Sequence, residues 1–347
     1  MPFLTLTPGN SAEQALAPCL PFWESLAART GEADPFCCGP AWQLTFREAF
    51  TPENRLFYLA TPGGLALFSE FRPDAERVFL APLENGWLFG APVLGPEAVE
   101  TLAACVATFA ATYADAVPHI LLSGIRPRGP FAAQLLRRFG GDFDFYRQGV
   151  SVQCAASLAG GLDGYLSRRS ANHRAKLRKA ARRAAENGVT FTRELPATAG
   201  EADALFARML AVEAKSWKGL GHCGMTEPEA RKFYAPLVRR LAATGRLRAI
   251  MASQDGEDIG FIFGGLCGGS CGGPAGATYR GQQFSYAAAA QRLSPGNLLQ
   301  METLKWLCEE GVLRYDMGPV TGPRMEYKRH WTEQGHEIQT WLMVPKR

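Results

Sequence analysis

The junction at Arg292-Leu-Ser-Pro-Gly-Asn-Leu298 most limits how this chain can fold. Strand-type residues 277–285 precede it, and a helix begins within it. Pro295 fits the first helical position, where its missing N–H costs nothing, and Ser294 is placed to cap. Gly296 leaves the first turn without a side chain. Leu298, Met301, Leu304, Trp306, Leu307 and Cys308 form an apolar face, and Gly311 stops the helix. The open N–H groups of such a turn, at the positive end of the helix dipole, suit a diphosphate fed from the preceding strand. The same residues also suit a plain, well-capped helix, and the turn alone does not separate the two.

Around this junction the pattern is mixed α/β, an α+β arrangement of meanders and helices. In the first half, helices are expected at 41–50, 96–113 and 131–139. Strands are expected at 55–60, 64–71, 77–80, 87–89, 119–125 and 143–154. In the second half, helices are expected at 170–187, 202–215 and 229–244, and strands at 189–193, 246–253, 259–266, 277–285, 313–317 and 337–344. A chain of 347 residues favours two domains, placed at 1–155 and 156–347.

Charge is concentrated in one place. Residues 168–183 hold eight Lys/Arg and no acid, although the whole chain is only +4, so the remainder is mildly acidic. A local anionic partner fits this better than general coating of nucleic acid. Nine cysteines without a CxxC pair point to reduced thiols, with Cys267 and Cys271 in a Gly-rich hairpin. No metal-ligand spacing is present. No apolar run reaches membrane-spanning length, and residues 1–10 lack a basic stretch followed by an apolar core, so a cytoplasmic protein without membrane insertion is expected.

Four motifs then occur in a telling order. They are the basic helix from Arg168 to Gly188-Val189, Glu213-Ala-Lys-Ser-Trp-Lys-Gly219, Ser294-Pro-Gly296, and Tyr315-Asp316 followed by Glu326-Tyr-Lys328. In this order and spacing, residues 160–335 resemble the CelD-type acetyltransferases of the GNAT superfamily, relatives of the FemABX peptidyltransferases. The resemblance implies tandem GNAT-like domains, the first degenerate and the second an acyl-CoA N-acyltransferase fold with a sheet that splits between two central strands.

It further implies acetyl-CoA or another acyl-CoA as co-substrate, with its pyrophosphate at Ser294, Pro295, Gly296, Asn297 and Leu298. Tyr279 and Arg280 would lie beside the pantetheine arm, and Arg292 would add a phosphate contact. An amine attacks a thioester only when neutral, and the oxyanion that forms needs a donor. Asp316 and Glu213 are the candidate bases, and Tyr279, Tyr286 and Tyr327 the candidate acids. Trp217, Lys218, Tyr327, Lys328 and Arg178 are the candidate acceptor contacts. The acceptor is expected to be a primary amine on a small molecule, peptide or saccharide, with an anionic one favoured by the lysines and arginines. Two alternatives stay open: a FemABX-like enzyme using aminoacyl-tRNA, and a non-catalytic module that binds acyl-CoA or a partner. No aromatic residue stands among the cations of 168–183, which weighs against tRNA.

Overall fold

Strand and helix alternate along the chain, and their contacts sort them into two units. One comprises residues 1–152 and 336–347, the other residues 153–335. The computed structural model describes residues 4–6, 12–74, 77–84, 87, 89–113, 116–269 and 273–346.

Unit 1 contains β1 (Leu4–Leu6), α1 (Ala12–Leu16), α2 (Leu20–Arg29), α3 (Pro40–Phe50), β2 (Leu56–Thr61), β3 (Gly64–Phe71), β4 (Phe79–Ala81) and β5 (Val93–Leu94). It continues with α4 (Ala98–Thr112), β6 (His119–Ile125), α5 (Pro130–Phe139) and the first ten residues of β7 (Phe143–Ser157). The strand order is β1-β2-β3-β4-β6, antiparallel except for the parallel pair β4–β6. Successive side chains of a strand face opposite sides. Ala66 and Phe68 therefore join Leu102, Val106 and Phe109 of α4, while Leu65 and Leu67 join Trp23, Leu26 and Leu44. Glu84 is buried among these layers. It accepts from Trp42 Nε1 at 2.7 Å, from Ser123 Oγ at 3.1 Å and from the Gly90 N–H. Burial pushes its carboxyl up to about 8.

Unit 2 contains α6 (Gly161–Ser167), α7 (Ala171–Glu186), β8 (Thr190–Glu194), α8 (Ala199–Ala214), α9 (Trp217–Leu220), α10 (Pro228–Ala243), β9 (Leu247–Gln254) and β10 (Glu257–Cys267). It continues with β11 (Thr278–Tyr286), α11 (Pro295–Glu309) and β12 (Arg314–Val320). A 3-10 stretch, Pro323–His330, precedes the last strand, β13 (Gln334–Pro345). The sheet order is β12-β11-β10-β9-β8, antiparallel except for β11–β12. Ile262 faces Leu299 and Trp306 of α11, and the next residue, Phe263, meets Tyr234 of α10 on the opposite face.

Helix ends follow local chemistry. Thr198 and Glu201 form a reciprocal capping box at α8. Ser170 caps α7 by accepting from His173 N at 3.2 Å, and Gly188 beyond its end takes a φ of +67°.

Three expectations need correction. Residues 87–89 form no strand among the described positions: Trp87 lies in a turn and Phe89 in a bend, while Leu88 is outside the described residues. Trp87 instead packs edge-on against Trp42 and Phe46. No elements were expected over 12–29, where α1 and α2 form. The last strand does not stay with the second unit as the 156–347 range had it. Its residues from 336 onward belong to unit 1, where Trp341, Leu342 and Met343 pair with Leu122, Leu121 and Ile120 of β6. The eight described cysteines are thiols, and Cys271 lies outside the described residues. No described helix is long and apolar enough to cross a membrane.

Candidate active site

The site begins where two parallel strands part. β11 and β12 pair only at Thr278–Arg314, Tyr279–Tyr315 and Arg280–Asp316, although both strands run on for several residues. The cause lies on the other edge of β11. Against β10 the register jumps from Phe263–Gln283 to Gly264–Gly281, which leaves Gln282 as a bulged residue. A bulge bends its strand and sharpens the twist. Here it falls two residues after Arg280, the last residue paired with β12, so β11 turns away and the sheet opens. Gly264 permits the tight contact beside the bulge, since a Cβ there would sit 2.3 Å from the Arg280 carbonyl oxygen. At Gly281, on the opening itself, a Cβ would meet nothing closer than 3.7 Å. The Gln282 Nε2 atom is buried there without a hydrogen-bond partner.

At the far end of β11 the chain makes a 3-10 turn, Ala288–Leu293, and enters α11. Pro295 is the first helical residue, as expected. Ser294 differs from expectation: its side chain makes no capping bond, and its backbone is left-handed at φ +58°. Such a conformation is uncommon for a residue with a Cβ and stores strain at the turn. Gly296 rests on two rings. A Cβ there would lie 3.1 Å from Tyr286 Cε1 and 3.2 Å from Phe284 Cε2. Asn297 is exposed, Leu298 packs with Ala180 and Ala184 of α7, and Arg292 is exposed beside the turn.

Asp316 is buried beneath the opening. Its carboxylate accepts from Arg280 Nη1 at 2.9 Å, Gln153 Nε2 at 2.8 Å and Gly318 N at 2.7 Å, with Arg314 Nη2 at 3.7 Å. Arg280 is equally buried and lies against Gly318, where a Cβ would come within 2.9 Å of its guanidinium. Tyr279 is fully buried and stacks on Tyr315 with ring centroids 5.4 Å apart. Its hydroxyl has no partner, and burial pushes its pKa up. Tyr286 stands six residues beyond Arg280, about 20 Å along an extended strand, so it belongs to the turn end of the opening.

The other two motifs close over β11. Glu213, at the end of α8, is no surface residue: it is fully buried, accepts from Ser285 Oγ at 2.9 Å and from the Met225 N–H, and lies 3.6 Å from Lys218 Nζ. Lys218 donates to Gln283 Oε1 at 2.7 Å and to the Phe284 carbonyl at 2.8 Å, with its ammonium 5.7 Å from the Phe284 ring centre. Burial pulls the Lys218 pKa down against the pull of Glu213. Tyr327 meets the same Phe284 ring edge-on at 5.5 Å. Trp217 is half-exposed under the Arg324 guanidinium, 4.9 Å from its ring centre.

Lys328 is only 8% exposed, and its ammonium donates to one acceptor, the Pro319 carbonyl, at 2.7 Å. Burial and the nearby Arg280 lower its pKa to about 8, and Asp316 opposes them. The opening thus gathers Lys218, Lys328 and Arg280 against Glu213 and Asp316, an excess of one positive charge among these five. Arg178 is not part of this group; it is exposed on α7. No group of three or more His, Cys, Asp or Glu able to hold a metal occurs among the described residues.

The split and the bulge that makes it were not anticipated at residue level. The available signals were Gly264 and Gly281, which stand in facing strands where glycine otherwise weakens a sheet.

Residues 171–329 match the family model of the acetyltransferase (GNAT) domain. Among solved structures, FemX superposes with a TM-score of 0.65 at 11% identity, over 98% of this chain and 97% of FemX. A conserved protein of unknown function from Bacteroides thetaiotaomicron gives 0.63 at 11% identity, over 99% of both chains. The C-terminal domain of a putative lysylphosphatidylglycerol synthetase from Agrobacterium fabrum gives 0.55 at 13% identity, over 94% and 91%. At these identities the likeness is one of fold. No curated protein matches the chain significantly in sequence.

Proposed function

We propose that unit 2, most of which matches the GNAT acetyltransferase domain model, transfers an acyl group, acetyl in the first instance, from acyl-CoA to a primary amine by direct attack. The observation that carries the reading is the bulge at Gln282, which frees one edge of β11 between the Ser294-Pro-Gly296 turn and the buried pair Arg280–Asp316. The residues fit the co-substrate. The turn offers the Gly296 N–H to a diphosphate, the unpaired edge of β11 takes an extended arm, and the open space at Gly281 leaves room at the reacting end.

In the reaction the amine nitrogen bonds to the thioester carbon, the C–S bond breaks, and the sulfur leaves as thiolate. The amine must first lose its proton to solvent water, and the proton that the nitrogen sheds as the amide forms passes to the leaving thiolate. Lys328, short of acceptors and in a locally positive setting, is the group we assign to the carbonyl oxygen as negative charge builds there. The bulged backbone at Gly281–Gln283 is assigned as the second donor. Asp316 and Glu213 act as positioning residues, because each carboxylate is already committed: one to Arg280 and Gly318, the other to Ser285 and Lys218. Tyr279 supports the opening by packing, and Tyr286 supports the phosphate turn. Trp217, Lys218 and Tyr327 border the approach of the acceptor, and the charge excess favours an acceptor bearing an anionic group. A cytoplasmic setting, where acyl-CoA is available, completes the proposal.

A second reading, an aminoacyl-tRNA donor as in FemABX-like enzymes, draws on the unpaired cations of α7. Calorimetry of the whole chain with acetyl-CoA and CoA decides between them. Binding in the micromolar range is expected. No heat at millimolar ligand would remove the acyl-CoA reading.

A further inference from the structure

The basic helix α7 has a second face to explain. Leu177, Ala180 and Ala184 form its buried stripe, and Ala180 and Ala184 pack on Leu298 at the start of α11. Lys176, Lys179 and Arg183 are spaced three and four residues apart, so they line one flank of the helix. Which way that flank faces is fixed by one bond: Arg183 Nη1 donates to the Arg292 carbonyl at 2.7 Å. The row therefore runs along the helix from the turn that precedes Ser294-Pro-Gly296. Lys176, Lys179, Arg183 and Arg292 are all exposed, and none forms an ion pair among the described residues. Glu186, the one acid of α7, is likewise outside any ion pair there. By contrast Arg169, earlier in the basic segment, is buried and paired with Glu333.

Four unpaired cations on one line would repel one another with no partner. Arg183 also spends one of its guanidinium donors on holding the turn and keeps the rest. Arg178 and Arg182 lie elsewhere around the helix, away from the flank that Arg183 ties to the turn.

We infer that Lys176, Lys179, Arg183 and Arg292 form a second phosphate subsite beside the turn, which takes the 3′-phosphate of the phosphoadenosine end of acyl-CoA. The inference rests on the acyl-CoA reading and adds a discrimination to it. A diphosphate at Gly296 is common to CoA and 3′-dephospho-CoA, whereas the cation row distinguishes them. It also moves the basic helix from the acceptor to the donor side of the reaction.

The test is titration calorimetry of the full chain with CoA and with 3′-dephospho-CoA, repeated on the Lys176→Gln/Lys179→Gln double variant. Both substituted side chains are exposed and hold no other part of the fold. The parent should bind CoA about tenfold more tightly than 3′-dephospho-CoA, the effect of one charge-assisted contact. The preference should shrink in high salt. In the double variant it should collapse through weaker CoA binding, with affinity for 3′-dephospho-CoA unchanged. Equal binding of the two nucleotides by the parent would overturn the subsite while leaving the acyl-CoA reading intact. So would a double variant that keeps the preference, or one that loses both nucleotides alike. Binding of neither nucleotide by the parent would overturn both.

Discussion

Replacing Asp316 with Asn tests whether this carboxylate positions the site or takes a proton in the reaction. Oδ1 accepts from Arg280 and Gly318, and Oδ2 from Gln153 with Arg314 nearby. An asparagine can keep the first set with its carbonyl oxygen. Its amide then turns two donors toward the donors of Gln153 and Arg314, and it no longer balances the charge of Arg280. Both members of the Arg280–Asp316 pair have side chains only 4% exposed, so water does little to screen the loss. Removing one partner of such a pair costs about 3–5 kcal/mol. Taking about 3 kcal/mol and a urea slope of about 2 kcal/mol per molar, the midpoint for unit 2 should fall by about 1.5 M. The same change removes the charge that holds the Lys328 pKa up, so the upper limb of the rate profile should move to lower pH. The assays are urea unfolding and the pH dependence of kcat/KM in a direct thiol-release assay. A variant with an unchanged urea midpoint and a rate reduced about a thousandfold, within the range for loss of a general base, would refute the positioning role.

Three further outcomes follow from the same geometry. Lys328→Met should lower kcat about a hundredfold, the effect of one oxyanion donor, and abolish the fall in parent activity as pH rises through about 8; a retained fall would assign that limb to another group. Gly296→Leu places atoms against Tyr286 and Phe284, which should cost about 1–3 kcal/mol of stability and weaken CoA binding at least tenfold by calorimetry; unchanged affinity would unseat the phosphate turn. Glu84 is held neutral in the fold, with its pKa raised from 4.5 to about 8. The folded state thus binds the extra proton, so this contribution is fully present below about pH 4.5 and is lost as pH rises through about 8. Urea midpoints read by tryptophan fluorescence should fall by several kcal/mol equivalent across that window, and Glu84→Gln should flatten the slope; an equal slope in the variant would show that another group is responsible.

The sequence reading located most elements because their signals are local. Residues 64–71 and 119–125 appear as strands with the expected limits, and α7 differs by one residue at each end. The Ser294-Pro-Gly296 turn was equally visible, since Pro295 and Gly296 act through their own backbone. What was not visible depends on distant partners. The bulge at Gln282 is a property of register between β10 and β11. The burial of Glu213, a candidate base by sequence, depends on the loop carrying Met225, which donates to its carboxylate from outside the helix. The basic segment announced an anion but not which one, because its direction is set by the single bond from Arg183 to Arg292.

The return of β13 to unit 1 bears on how the protein is made. Residues 153–335 leave the ribosome before residues 336–347, so unit 2 can fold while unit 1 still lacks a strand. Until Trp341, Leu342 and Met343 arrive, the edge of β6 that they will pair with carries open backbone groups, and such edges invite pairing with other chains. Chains that lack residues 336–347 are therefore the sticky species, because the edge of β6 stays open in them. Removing residues 336–347 would disturb the folding of the first unit before it touched the chemistry of the second.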